Sequence, residues 1–289
     1  MPNKMTLIQK YITLLDEVYK NATLTGDLEA DASVVRQGMQ TNEILIPKMD
    51  MDGLGDYDRN TGYADGSVNL EWESKKFNYD RGRRFSVDAM DDEETAGLSF
   101  GKLSSEFIRT KVVPELDAWR FATYTENAGT IKSETLTTGE QVCSAITIAN
   151  NTLDEAEVYT EERYLFITPT LYNAITALDS YKSKGMLDGF AKIIRVPTPR
   201  FYSAVALLDG KSDNELSGGY KKAESAKNLN FLIIQKNVPI QYTKHCVSKV
   251  ITPEQNQDTD NWLFFYRAYG ITEVYDNKKM GIYASVSAN

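Results

Sequence analysis

The sequence predicts an α+β fold in which a long hairpin and a long helix precede a separate α/β module. Three patterns carry the prediction. Val68, Leu70 and Trp72 alternate with Asn69, Glu71 and Glu73, and Phe77, Tyr79, Arg81, Arg83, Phe85 and Val87 share one side of the next run, the period-two signature of half-buried strands. After Asp91 the period changes, with Leu103, Phe107, Val113, Leu116 and Trp119 at roughly helical spacing. From Gly139 to Gln235 helical and strand-like stretches alternate, as they do in an α/β or α+β module.

Taken in chain order, Leu7, Ile8, Tyr11, Leu14, Leu15, Val18 and Tyr19 form one apolar stripe of a short amphipathic helix. The polar stretch Asn21 to Gln40 follows. The helix therefore reads as an arm docked on a distant part of the fold or on a neighbouring molecule. Glu43 to Pro47 is a short strand, and Met49 to Gly66 is turn chemistry, with Asp52-Gly53, Leu54-Gly55, Asn60, Gly62 and Asp65-Gly66. Ser67 to Asp88 reads as a protruding β-hairpin turning at Glu73 to Lys76. Asp91 or Asp92 caps the long helix, with Glu93 and Glu94 where the helix dipole favours negative charge. Pro114 predicts a kink or restart with Glu115 and Asp117 in the new first turn, and Gly129 is the expected stop.

In the middle of the chain Gly139 to Leu153 places Val142, Ala145, Ile146, Ala149 and Leu153 on one helical face. Arg163 to Thr168 is a strand, and Pro169 opens a helix through Leu178. Lys192 to Val196, Ser203 to Leu208 and Asn230 to Gln235 are further strands, with Leu216 to Asn228 a polar surface loop. Ile240 to Val250, Trp262 to Ala268, Ile271 to Tyr275 and Gly281 to Ala284 close the fold as strands, joined by a turn at Asp276 to Lys279.

Composition excludes several functions. With 289 residues, 42% hydrophobic and 25% charged, the chain buries a sizeable core and is not disordered. No apolar run approaches the roughly 18 residues of a membrane helix, and the N-terminus lacks the apolar segment of a secretion signal. The formal net charge is −9. The one short basic run, Arg81, Arg83 and Arg84, is followed at once by acidic residues, which argues against reading DNA. Cys143 and Cys246 lack metal-ligand or disulfide spacing and read as small buried hydrophobes. His245 is the only histidine. It would alternate with Cys246 across a strand, so the two do not form a nucleophilic pair.

No phosphate loop, dinucleotide fingerprint or Gly-x-Ser-x-Gly elbow is present. Asp91 to Glu94 could serve as a carboxylate pair or a hard-metal site, but consecutive carboxylates at a helix start read first as a solvated cap. No catalytic, cofactor or metal residue is assigned. The arginines either solvate the hairpin, in pairs worth little, or reach an acidic cluster such as Asp91 to Glu94 on a neighbouring subunit.

Several segments together resemble one family. Tyr79-Asp80-Arg81-Gly82-Arg83-Arg84-Phe85-Ser86-Val87-Asp88 and Met90-Asp91-Asp92-Glu93-Glu94-Thr95 are similar to a hairpin-to-helix junction. Val112-Val113-Pro114-Glu115-Leu116-Asp117-Ala118-Trp119-Arg120-Phe121 resembles the later part of a spine helix. Thr168-Pro169-Thr170-Leu171-Tyr172, Thr252 to Asp258, Trp262 to Tyr269 and Asp276 to Tyr283 resemble a central strand-to-helix step and closing strands. The family is that of major capsid proteins of tailed double-stranded DNA bacteriophages, with the Hong Kong 97-like fold, and the likeness is to coat proteins of phages of Gram-positive hosts.

The resemblance implies an N-terminal arm over 1–47, an extended loop over 48–87, and a peripheral domain with the spine helix over 88–129, rejoined over 243–289. The axial domain is then 130–242. It implies a non-enzymatic coat protein of the virion, made and assembled in the bacterial host cytoplasm. Its hexamers and pentamers would form an icosahedral head enclosing DNA without sequence-specific contacts. A separate scaffolding protein, a portal and an unprocessed arm are expected, with no membrane and no cofactor. Intersubunit contacts are expected at Leu7, Tyr11, Leu14, Trp72, Phe77, Arg81, Arg83, Arg84, Asp91, Asp92, Glu93 and Glu94. An encapsulin-type compartment, a carboxylate-dependent hydrolase and a tail or decoration protein are the rival readings.

Overall fold

A computed structural model describes residues 23–29, 36–37, 43–60, 62–90, 105–178 and 185–288. The strands are β1 (Arg36–Gln37), β2 (Glu43–Met51), β3 (Val68–Lys76), β4 (Tyr79–Asp88), β5 (Thr130–Glu134), β6 (Arg163–Ile167), β7 (Lys192–Arg195), β8 (Val205–Leu207), β9 (Tyr220–Lys222), β10 (Leu229–Gln235), β11 (Pro239–Ile251), β12 (Asn261–Val274) and β13 (Ile282–Ser287). The helices are α1 (Val113–Glu126), α2 (Gly139–Glu155) and α3 (Pro169–Thr176).

The expected hairpin over 67–88 is corrected. β3 pairs antiparallel with β2, from Glu43 opposite Lys76 to Met51 opposite Val68. β4 pairs instead with β12, from Asp88 opposite Asn261 to Tyr79 opposite Gly270. The hairpin is thus β2–β3 with its turn at residues 52–67, and Glu73 to Lys76 is strand rather than turn.

Two sheets share α1. The larger is mixed, in the order β5-β13-β10-β6-β7, with β13–β5 and β6–β7 parallel. Its central strand β10, Leu-Asn-Phe-Leu-Ile-Ile-Gln, is nearly continuous in apolar residues because both faces are covered. Phe166, Leu232, Ile234, Ile282 and Ala284 pack on one face with Phe121 and Tyr124 of α1. Leu165, Ile167, Phe231, Ile233 and Tyr283 pack on the other with Val142, Ile146 and Leu153 of α2. The predicted apolar face of α2 is buried in full.

Thr138 and Gln141 form a reciprocal capping box at the start of α2. Gly139 lets α3 approach, since a Cβ there would lie 2.2 Å from the Ala174 carbonyl oxygen.

The second sheet is antiparallel, in the order β11-β12-β4. Its inner face, Tyr79, Val250, Phe264, Tyr266 and Ala268, packs on Ile108, Val112, Val113 and Leu116. Residues Ile108–Val112 form a π-helical turn that runs directly into α1, with Pro114 in the first turn of the α-helical part. The predicted interruption at Pro114 is therefore a change of helical winding, which accommodates a residue lacking an N–H donor.

Other expectations change in detail. Trp262 to Ala268 and Ile271 to Tyr275 belong to one strand, β12, running through Gly270. β13 joins the mixed sheet beside β10 rather than closing on β12. The loop over 216–228 contains β9, paired with β8. Gly129 acts through close approach rather than as a left-handed cap: its N–H donates to the Lys279 carbonyl (2.8 Å), and a Cβ would meet Met280 Cα at 2.6 Å. Cys143 and Cys246 are half-buried cysteines outside any disulfide, not core residues.

Candidate assembly surfaces

The β2–β3 ribbon changes its buried face along its length. At its base Ile44 and Ile46 are buried against Ile240 and Ile271. Lys75 ties the base down through Glu73 (2.8 Å) and Asp276 (3.3 Å). Beyond Ile46 the opposite face becomes the apolar one. Pro47 stands opposite Trp72, Met49 opposite Leu70, and Met51 opposite Val68. Side chains at every second position share a face, so these three cross-strand pairs make one apolar strip. Met49, Met51, Val68 and Leu70 are 55, 61, 69 and 50% exposed. The turn adds Leu54, fully exposed, and the edge-to-face pair Tyr57–Tyr63, centroids 4.9 Å apart. Asp52 organises the turn by accepting from the Ser67 N–H (2.8 Å) and hydroxyl (2.7 Å), bonds that lower its pKa.

The predicted arginines divide between two faces of β4. Arg81 lies on the inner side, where its Nε donates to Glu115 Oε1 (2.7 Å) and an Nη to the Gly219 carbonyl (3.2 Å). Arg83 donates to the Leu216 carbonyl (2.9 Å), and a Cβ on Gly210, held at φ +68°, would lie 2.7 Å from its Nη1. Arg81 and Arg83 thus have partners within their own chain. Arg84 projects from the outer face, in a shallow cleft with His245, Val247, Lys249, Phe265 and Arg267. There Arg267 donates twice to Asp80 (2.8 and 2.6 Å), which lowers the Asp80 pKa.

Phe77 is likewise engaged within the subunit. It stacks on Tyr269 with centroids 4.8 Å apart, under the Lys244 ammonium at 4.9 Å. Trp72 stays on the exposed strip. Leu7, Tyr11, Leu14, Asp91, Asp92, Glu93 and Glu94 lie outside the described residues.

Met49 and Met51 fall in the stretch expected to be turn, yet Lys48 and Asp50 alternate with them as a strand requires, and they end β2. Glu115 and Asp117, expected in the first turn after Pro114, are both buried. Among the described residues no group of three or more His, Cys, Asp and Glu is placed to hold a metal. No described helix is long and apolar enough to cross a membrane.

Solved structures share this fold. The asymmetric unit of the mature capsid of bacteriophage PhiM1 superposes with a TM-score of 0.62 at 9% identity, covering 87% of this chain and 83% of that one. The capsid structure of cyanophage P-SCSP1u gives 0.57 at 12%, covering 93% and 89%. The fold is that of phage major capsid proteins. A virus-like particle from Pyrococcus furiosus has it too, with a TM-score of 0.54 at 12% identity over 96% of this chain and 99% of that one. No protein-family model and no curated protein matches the sequence. At such identities the capsid fold is preserved by where apolar residues fall rather than by which ones they are.

Proposed function

We propose that this chain is the major coat protein of a tailed phage. It would assemble into hexamers and pentamers of a Hong Kong 97-like icosahedral head, around DNA held without sequence-specific contacts. The observation that carries the reading, beyond the capsid fold, is the exposed apolar strip on the β2–β3 ribbon. A two-stranded ribbon is marginal in water, and an apolar face on it calls for a partner surface. A second copy of the chain supplies that surface in a shell. On this reading residues 1–47 are the arm, 48–87 the extended loop, 88–129 with 243–289 the peripheral domain, and 130–242 the axial domain. A scaffolding protein and a portal take part in assembly inside the host. The role is structural, with no catalysis.

The likeness to the Pyrococcus furiosus particle supports a second reading, an encapsulin-type compartment. Electron microscopy of the purified protein, alone and co-expressed with a scaffolding partner, tests both. Uniform closed shells are expected, and nucleic acid rather than a folded enzyme inside them separates head from compartment. Leu70→Asp is expected to abolish shells while leaving subunit stability within about 0.5 kcal/mol, because the side chain faces solvent in the free subunit. A monodisperse monomer from the unsubstituted protein under both conditions would sink the reading.

A further inference from the structure

The most buried carboxylate near the junction of the two sheets is Asp117 on α1, fully shielded from solvent. Its partners are unusual for a buried charge. The guanidinium of Arg200, from the turn Thr198–Arg200, stands 3.5 Å away. The shorter hydrogen bonds come from the N-terminal segment. The Leu24 N–H donates to both carboxylate oxygens (3.2 and 3.3 Å), and the Thr25 hydroxyl donates to Oδ1 (3.1 Å).

Arg120, one turn further along α1 and also buried, donates through Nη1 to the Thr25 hydroxyl oxygen (2.9 Å). Its Nε has no hydrogen-bond partner among the described residues. The Thr25 carbonyl accepts from Gln241 Nε2 (2.9 Å), and Leu24 and Leu28 pack in the core beside Phe121, Tyr124 and Phe201. Asp27 pairs with Lys192 of β7.

The buried Asp117 and Arg120 and the half-buried Arg200 are therefore gathered in one place, and Leu24 and Thr25 supply hydrogen bonds that the ions would otherwise seek from each other. Removing the segment leaves Asp117 with one long contact and Arg120 with less than it has. Uncompensated buried charge is strongly unfavourable, so the empty site has to rearrange. Arg200 has the means, since its side chain is partly exposed and sits on a three-residue turn.

We propose that residues 24–28 are a displaceable spacer in an arginine–aspartate–arginine site centred on the buried Asp117. Seated, the spacer competes with Arg200 for Asp117. Withdrawn, it lets Arg120 and Arg200 close on the carboxylate and draw the Thr198–Arg200 turn toward α1. Seating of residues 24–28 is thereby linked to the position of the Thr198–Arg200 turn against α1. The switch is a property of the subunit and stands apart from shell formation, so either can fail without the other.

The test is amide hydrogen exchange read by mass spectrometry on the unassembled full-length chain. Competition and simple structural support make opposite predictions for Arg200→Gln. If Arg200 competes with the spacer, its loss tightens seating and slows exchange at 24–28 by about three-fold. If Arg200 merely supports the cluster, its loss speeds exchange there, and that result, or no change, overturns the proposal. Thr25→Val supplies the converse: faster exchange at 24–28 with slower exchange at 198–201, the slowing cancelled when Arg200→Gln is added. Unchanged or faster exchange at 198–201 in Thr25→Val also overturns it.

Discussion

Arg81 and Asp276 show two ways in which single charges hold this subunit together. Arg81 is three-quarters covered, its side chain 24% exposed, and binds a Glu115 carboxylate that is 11% exposed. A charge-assisted hydrogen bond in such a place is stronger than a surface pair, and removing one partner strands the other. Arg81→Ala is expected to destabilise the subunit by about 2–3 kcal/mol, read as a lower urea midpoint at unchanged slope. Asp276 is more exposed and accepts from Lys279 (2.8 Å) and Lys75 (3.3 Å), which hold its pKa at about 2 against an ordinary 3.8. A carboxyl with a lowered folded pKa contributes stability above its unfolded value, and that contribution disappears as pH falls through the folded one. The window is therefore pH 4 down to 2. Asp276→Asn should lose less stability than the unsubstituted protein across that interval, and no more than about 1 kcal/mol less, because the pair is partly solvated. Thermal melts at closely spaced pH values check it, and equal losses in both proteins would contradict it.

At the scale of elements, close packing sets a further expectation. Gly139→Ala introduces a methyl 2.2 Å from the Ala174 carbonyl oxygen, so α2 and α3 must separate. Overpacking of this kind costs about 1–3 kcal/mol, measurable as a fall in thermal midpoint with the circular dichroism spectrum retained. The same scale shows what the sequence alone makes legible. Periodicity identified β4 and α2 because each covers one face and burial writes its period into the local residues, while β3 shows the same alternation with its apolar face left exposed. Strand partners leave no such local mark. β3 was assigned to β4 because they are adjacent in sequence, yet β4 lies beside β12, about as far along the chain as the fold allows. β5, Thr-Ile-Lys-Ser-Glu, went unseen because an edge strand with alternating exposure need not be apolar. Glu115 and Asp117 looked like helix-cap acids because the arginines that neutralise them come from elsewhere: Arg81 on β4 pairs with Glu115, and Arg200, beyond β7, with Asp117. The exposed strip on β2–β3 was half legible, from Val68 to Trp72, and its other half was hidden by the turn residues that follow it.

For the whole molecule the balance is between apolar contact and like charge. Each chain carries a formal charge of −9, so the shell proposed above would concentrate negative charge as copies come together. The ribbon strip of Met49, Met51, Val68 and Leu70 offers attraction that depends on excluding water rather than on ion pairs. Salt acts on both terms in one direction. It shortens the Debye length from about 14 Å at 0.05 M to about 4 Å at 0.5 M, which screens repulsion between subunits. Salts excluded from the protein surface also strengthen apolar burial. Assembly driven by the strip should therefore rise with ionic strength, the concentration needed for shells falling as salt is added, and sulfate should act more strongly than chloride at equal ionic strength. Light scattering against subunit concentration, at several salt levels, measures this directly. If salt instead dissolves the shells, ion pairs between subunits are the main attraction. Arg84, Lys249 and Arg267 on the outer face of the β11–β12–β4 sheet then become the residues to replace next, because they are the cations gathered on that face.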